Sequence, residues 1–310
     1  VNFFKKNKVK LLMLSPILLG LLFFLYSVSS AFYTVNTTKL PKNFDDLSLE
    51  IDDYQIQQID EKNNSVKWVL RALKAKIAAD KNSAEIINPK IKFFDSGKQK
   101  FTIDGKKADL DKAKQEIVVS EDVVLKTSDK KIQVFTNKMF FSEANPFVEF
   151  ADDWKIINDK GYEIAGDTGK LSKTQDLIVS IGNASLLKAK DNLKITAEEI
   201  ILDLKSTLVI RAKTNSTLHL DSEKKLYANN IDINTSGAVR AQGSVKVKTP
   251  DLECYSESMR IIPKANKKPK TAIFEGKPYV VQQGNKLYAD LIRYDFDSQE
   301  AILEGSIHSG

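Results

Sequence analysis

The chain has 310 residues, 42% of them hydrophobic and 28% charged, a balance that folds and excludes a disordered polymer. One cysteine, Cys254, and two histidines, His219 and His308, exclude an internal disulfide and a thiolate zinc site and nearly exclude His-rich metal chemistry. Of the net charge of +6, four units come from Lys5, Lys6, Lys8 and Lys10. The rest is nearly balanced and lacks the basic surface a nucleic-acid binder needs.

Leu11 to Thr38 carries no charge, and its apolar heart is the 22 residues Leu11–Phe32. As a helix they would span about 33 Å, enough for a hydrocarbon core of ~30 Å. Tyr26, Phe32 and Tyr33 lie at the far end, where aromatic belts sit, and the lysines precede it. The expectation is a cytoplasmic basic head over 1–10, a transmembrane helix over 11–32, a linker over 33–50 and an exported body. A leader cleaved near Ser29-Ser30-Ala31 is the alternative. An exported chain with one cysteine fits Cys254 as a small buried apolar residue.

Beyond Pro41 the pattern has period two, the mark of half-buried strands. Ile117, Val119, Val123 and Leu125 share a parity; Leu218 and Leu220 alternate with polar neighbours, as do Val245 and Val247. Turn signals separate the runs at Asp95-Ser96-Gly97, Ser128–Lys131, Asp191-Asn192, Thr235-Ser236-Gly237 and Gln283-Gly284-Asn285. Many short strands predict a β-sandwich, barrel or jelly roll. Val66–Ala79 reads as helix by propensity and as strand by alternation, and periodicity leaves both open.

The pattern also repeats. At an offset of 61, Ile117 falls on Ile178, Leu125 on Leu186, Val134 on Ile195, Phe141 on Leu202 and Gly182 on Gly243. A half-period of 31 relates Leu177-Ile178-Val179 to Leu208-Val209-Ile210. A unit of that size is two strands and a turn, which must stack on its neighbours to bury a face. Repetition alone shows architecture and no cargo.

Several segments carry a resemblance: Val66–Ala72, Ile87–Phe94, Ile117–Leu125 with Thr136–Met139, and Gly161–Gly166. With the basic head and anchor they resemble the LptC family, single-pass periplasmic proteins of lipopolysaccharide export. The second half, through Ala272–Val280, Lys286–Asp290 and Ala301–Gly305, is similar to the LptA/OstA-type repeat. The resemblance implies an all-β, antiparallel twisted β-jelly roll, one long or two stacked, behind the helix. It implies an LptC-like part over 51–185 and an LptA/OstA-like part over 186–310, with Val66–Ala79 as strand. The chain is longer than an LptC-like protein, which would end near residue 190.

The implied function is a periplasmic bridge that takes lipopolysaccharide from an inner-membrane ABC transporter toward the outer membrane. An acyl chain of about a dozen carbons left in water costs on the order of 10 kcal/mol, so a carrier needs an apolar trough. The inward candidates are Ile103, Ile117, Val119, Val123, Leu125, Met139 and Phe141, then Leu186, Ile195, Leu202, Val245, Val247 and Tyr279. Ordinary dry core is the competing reading of each. Gly105, Gly166, Gly182, Gly243 and Gly276 read as turns or bulges. Open sheet edges would let LptA-like partners add head to tail. The alternative function is a membrane-tethered structural or adhesive β-repeat scaffold without cargo.

Enzyme chemistry is poorly represented, and no cofactor is expected. There is no P-loop, dinucleotide fingerprint or His-Glu-x-x-His. His219 lies on a polar parity and His308 near the end. The carboxylate pairs Asp45-Asp46, Asp52-Asp53, Asp152-Asp153 and Glu198-Glu199 are adjacent residues, which point to opposite faces of a strand and make poor hydrolase dyads. Lys264–Lys270 reads as an exposed loop.

Overall fold

A computed structural model describes residues 47–60, 64–78, 82–205, 208–266 and 268–310. The expected head, helix and most of the linker lie outside the described residues. Among those described, no helix is long and apolar enough to cross a membrane.

Residues 47–310 form one compact unit. Its strands are β1 (Leu47–Ile59), β2 (Val66–Ala78), β3 (Ser83–Ile87), β4 (Lys90–Asp95), β5 (Lys98–Asp104), β6 (Lys107–Asp111), β7 (Glu116–Thr127) and β8 (Ile132–Ser142). Next come β9 (Phe147–Ala151), β10 (Lys155–Asn158), β11 (Glu163–Ala165), β12 (Thr168–Ser172), β13 (Leu177–Lys188), β14 (Leu193–Asp203), β15 (Leu208–His219) and β16 (Lys225–Asn234). The last are β17 (Val239–Lys248), β18 (Glu253–Pro263), β19 (Pro269–Glu275), β20 (Tyr279–Gln282), β21 (Asn285–Tyr288), β22 (Leu291–Asp295), β23 (Ala301–Glu304) and β24 (His308–Ser309). All pairings are antiparallel. The segment that propensity left open, Val66–Ala78, is a strand. Its Ala and Leu residues favour helix only weakly, and pairing with β1, β3 and β4 overrides that preference.

The sheet is organised as two half-sheets that share their long strands. β7 pairs with β6 through Glu116–Ser120 and with β5 through Val124–Thr127. β8 pairs in the same way with β9 at one end and β10 at the other. Following these ladders, β3, β6, β9, β12, β19, β22 and β23 belong to half-sheet A, and β4, β5, β10, β11, β20, β21 and β24 to half-sheet B. Strands β13 to β18 run through both without interruption.

Where a long strand passes from one half to the other, it bulges. Register breaks fall between Ser120 and Val123, Ile181 and Ala184, Lys213 and Ser216, and Gln242 and Val245. Each skipped pair has positive φ: Glu121-Asp122, Gly182-Asn183, Thr214-Asn215 and Gly243-Ser244. Gly182 and Gly243 sit at φ +71° and +77°, where a side chain is strained. An extra residue pair bends a strand and raises its twist. The 61-residue repeat is therefore the spacing from Glu121 to Gly182 to Gly243. On the strands opposite, one unpaired residue switches the buried parity, from Thr136 to Met139 in β8 and from Ala197 to Ile200 in β14.

Bending turns the inner faces of A and B toward each other around one core. The Phe93 ring of half-sheet B stands 4.0 Å from the Phe141 ring of half-sheet A. On a flat sheet, with β5 and β7 between their strands, the two could not meet. The boundary expected between 185 and 186 falls inside β13, whose ladder with β14 runs from Leu177 to Lys188.

Candidate functional site

The two half-sheets end in two rows of turns that face each other. Between residues 67 and 175 the rows are joined. Lys67, beside the half-sheet B end of β2, bonds Glu143 in the turn after β8. The Gln175 side-chain amide, from the β12–β13 turn of A, donates to the Lys100 carbonyl on β5 of B at 2.9 Å. Beneath them Phe93 packs on Phe101 and Phe141. The Lys173 ammonium donates to the Ser142 and Glu143 carbonyls at 2.8 and 3.1 Å and lies over the Phe141 ring. Burial lowers its pKa to about 8, against the raising effect of Glu143.

Farther along the rows part. A cavity of about 1540 Å³ opens between Leu204, Ile210, Ile233, Val239 and Lys264 on the A side and Tyr162, Lys188, Leu193, Leu218 and Lys224 on the B side. It exceeds the roughly 300–1,000 Å³ of ordinary small-molecule sites. Its apolar lining includes Tyr162, Leu193, Leu204, Ile210, Leu218, Ile233 and Phe296.

The rim of the cavity is cationic. Lys188 pairs with Asp191, Lys224 with Asp221, Lys205 with Asp176 and Lys264 with Asp297. Asp221 also accepts from the backbone N–H groups of Glu223 and Lys224 at 2.9 and 2.7 Å. Burial works against its charge, but these bonds hold its carboxyl below the usual range. Burial likewise opposes the Lys188 ammonium, yet Asp191 and Tyr162 raise it. Asn158 accepts from the Lys160 and Tyr162 N–H groups through Oδ1 and so fixes the turn that carries Lys160.

Of the thirteen residues expected to face inward, twelve do. Ile103, Ile117, Val119, Val123, Leu125, Met139, Phe141, Leu186, Ile195, Leu202, Val245 and Val247 are all at most 7% exposed. Tyr279 is a correction. It is half-buried on the outer face, stacked between Tyr255 at 4.7 Å and Tyr288 at 5.2 Å, while its neighbour Val280 takes the inner place. Val280 keeps the even parity of the buried Ala272 and Phe274 across the positive-φ pair Gly276-Lys277, which leaves Tyr279 on the other face.

None of the twelve lines the open cavity. Its lining comes from strand ends and turns, and includes Leu218 and Leu220 of the alternating run at the end of β15. The sign was local: Leu193 follows Asp191-Asn192, Leu220 precedes Asp221, and Phe296 stands between Asp295 and Asp297. These partly buried side chains pack against the edge of the core while lining the cavity.

The carboxylate pairs have structural places. Asp152-Asp153 is a positive-φ corner between β9 and β10, and Glu199 pairs with Lys213. His219 stands between Lys194 and Lys225 on adjacent strands, and burial followed by these two lysines lowers its pKa. Burial pushes the Cys254 thiol up to about 12, so it is an inert core residue. Among the described residues no three His, Cys, Asp or Glu side chains gather as metal ligands.

The solved structure of LptH, the LptA homologous periplasmic component of the lipopolysaccharide transport device of Pseudomonas aeruginosa, is 13% identical to this chain. The match covers 49% of this chain and 95% of that one, with a TM-score of 0.23. No curated protein matches. The family model described as LptC, lipopolysaccharide-assembly, LptC-related, matches residues 16–143.

Proposed function

We propose that this chain is a membrane-tethered periplasmic bridge that carries lipopolysaccharide by its acyl chains. It receives them from an inner-membrane ABC transporter and passes them toward the outer membrane. The observation that carries this reading is the cavity of about 1540 Å³ between the two rows of turns, with its apolar floor. Chains enter onto Leu193, Leu218 and Ile233. The next layer is at hand, because Leu218 pairs with Ile195 across β14–β15 and Ile210 pairs with Leu202. Val245, Val247 and Leu186 continue that layer. The inward residues of the first part, from Ile103 to Phe141, join it when the half-sheets separate. Each methylene moved out of water contributes about 0.8 kcal/mol, so one chain of a dozen carbons offsets the cost of opening part of the core.

The two sheet ends suit addition of further LptA-like units. Among the described residues β1 pairs only with β2, β23 only with β22, and β24 only with β21. Their outer edges offer backbone groups to an added strand. In this reading the LptC-related part sits beside the transporter and the part from 186 onward begins the bridge.

The test is lipid co-purification. The chain is extracted from membranes, and bound lipopolysaccharide is measured by mass spectrometry. Leu193→Asp and Ile233→Asp should remove it, whereas Ile262→Asp, an outer-face change at a residue 46% exposed, should not. Wild-type protein that carries no lipid would instead support the cargo-free scaffold.

A further inference from the structure

The cavity has a second chemical character besides its floor. Seven lysines line it against four aspartates, an excess of three positive charges. The aspartates are engaged within the chain: Asp191, Asp221 and Asp297 each hold a lysine, and Asp203 accepts from the Lys205 N–H at 2.9 Å. Lys160, Lys190 and Lys268 make no ion pair among the described residues. They come from both sides of the opening, Lys160 and Lys190 from B-side turns and Lys268 from the A side.

An apolar floor under a cationic rim fits one class of molecule, an amphiphile whose head carries anionic groups next to its hydrocarbon. We infer that Lys160, Lys190 and Lys268 form a headgroup site that holds the phosphates of the cargo at the opening while its chains lie below. This rests on the conduit reading and adds that the chain selects its cargo by headgroup charge. Lysine suits the task, since a flexible point charge can follow a phosphate as the lipid advances. Charge-assisted bonds to phosphate gain strength beside a low-dielectric floor.

The experiment measures displacement of a fluorescent fatty-acyl probe from the full chain at low salt. Competitors are diphosphorylated lipid A, the same lipid without phosphates, and inorganic phosphate. Wild type should prefer the diphosphorylated lipid by tenfold or more. Lys160→Gln/Lys190→Gln/Lys268→Gln should bind both lipids alike, and the triple Lys→Arg variant should keep the preference. Inorganic phosphate should reduce the preference without displacing the acyl probe. If phosphate alone displaces the probe, the site is for free anion and the inference fails. Equal binding of both lipids by wild type, or a preference that survives the Gln variant, also overturns it. If neither lipid nor probe binds wild type, the conduit reading falls and takes this inference with it.

Discussion

The region between residues 67 and 175 and the region beyond it use the same strand pair, the same bulge and the same repeat, yet one is shut and the other open. In the first, Phe93, Phe101 and Phe141 fill the space between the half-sheets, and Lys67–Glu143 and Gln175–Lys100 tie the rows of turns together. In the second, Leu193, Leu204, Ile210 and Ile233 line an open cavity together with the rings of Tyr162 and Phe296, and lysines stand on both of its rims. The closed region combines split short strands, packed rings and ties between its rows of turns; the open one combines long continuous strands with a cavity between lysine-bearing rims.

The largest effect should come from removing a ring of the closed region. Phe141→Ala, at a position 7% exposed, should cost about 3–5 kcal/mol in urea unfolding. Phe296→Ala at the open mouth should cost less than about 1.5 kcal/mol, since its site is already partly exposed. Equal losses would erase the distinction between the regions.

Next comes overpacking. A Cβ on Gly169 would stand 2.0 Å from the Phe150 ring and 2.8 Å from Trp154. Gly169→Ala should therefore destabilise by about 1–3 kcal/mol, read from the same unfolding curve.

A smaller effect follows from Lys173. Its ammonium releases a proton near pH 8 in the folded chain and near the ordinary 10.5 when unfolded. Between those values the unfolded state binds more protons, so stability should rise with pH across that window. The urea midpoint of wild type should climb from pH 8 to 9.5, and Lys173→Met should flatten the climb. A wild-type curve that falls over that range would contradict the buried placement.

The smallest effect is at the ties. Gln175→Ala should cost about 0.5–1.5 kcal/mol. It should also raise hydrogen exchange at the Lys100 end of β5 more than at the cavity rim.

The sequence showed much of this fold and less of its site. Alternation at Ile117, Val119, Val123 and Leu125 gave the inner face, and the 61-residue offset located equivalent strands. The Gly182–Gly243 match marked two of the bulges that bend the sheet. The short run Tyr279–Gln282 did not by itself tell which face is inner; the even parity of the buried Ala272 and Phe274 continues to Val280 and leaves Tyr279 outside. Nor could it separate dry core from lined cavity, because Ile195 and Leu218 look alike as letters. Which of them meets open space depends on how far apart the rows of turns stand, a three-dimensional spacing that the alternation of letters does not encode.

The most direct measurement places a photo-crosslinking residue in turn at Phe141, Leu193 and Ile233, with Asp122 as the outer control, in membranes that are actively exporting. The account predicts lipopolysaccharide adducts at Leu193 and Ile233 that grow with ATP, a weaker adduct at Phe141 that appears only once the Gln175 tie is removed, and none at Asp122. No adduct at Leu193 and Ile233 would contradict it, and the open region would then be a structural trough without cargo.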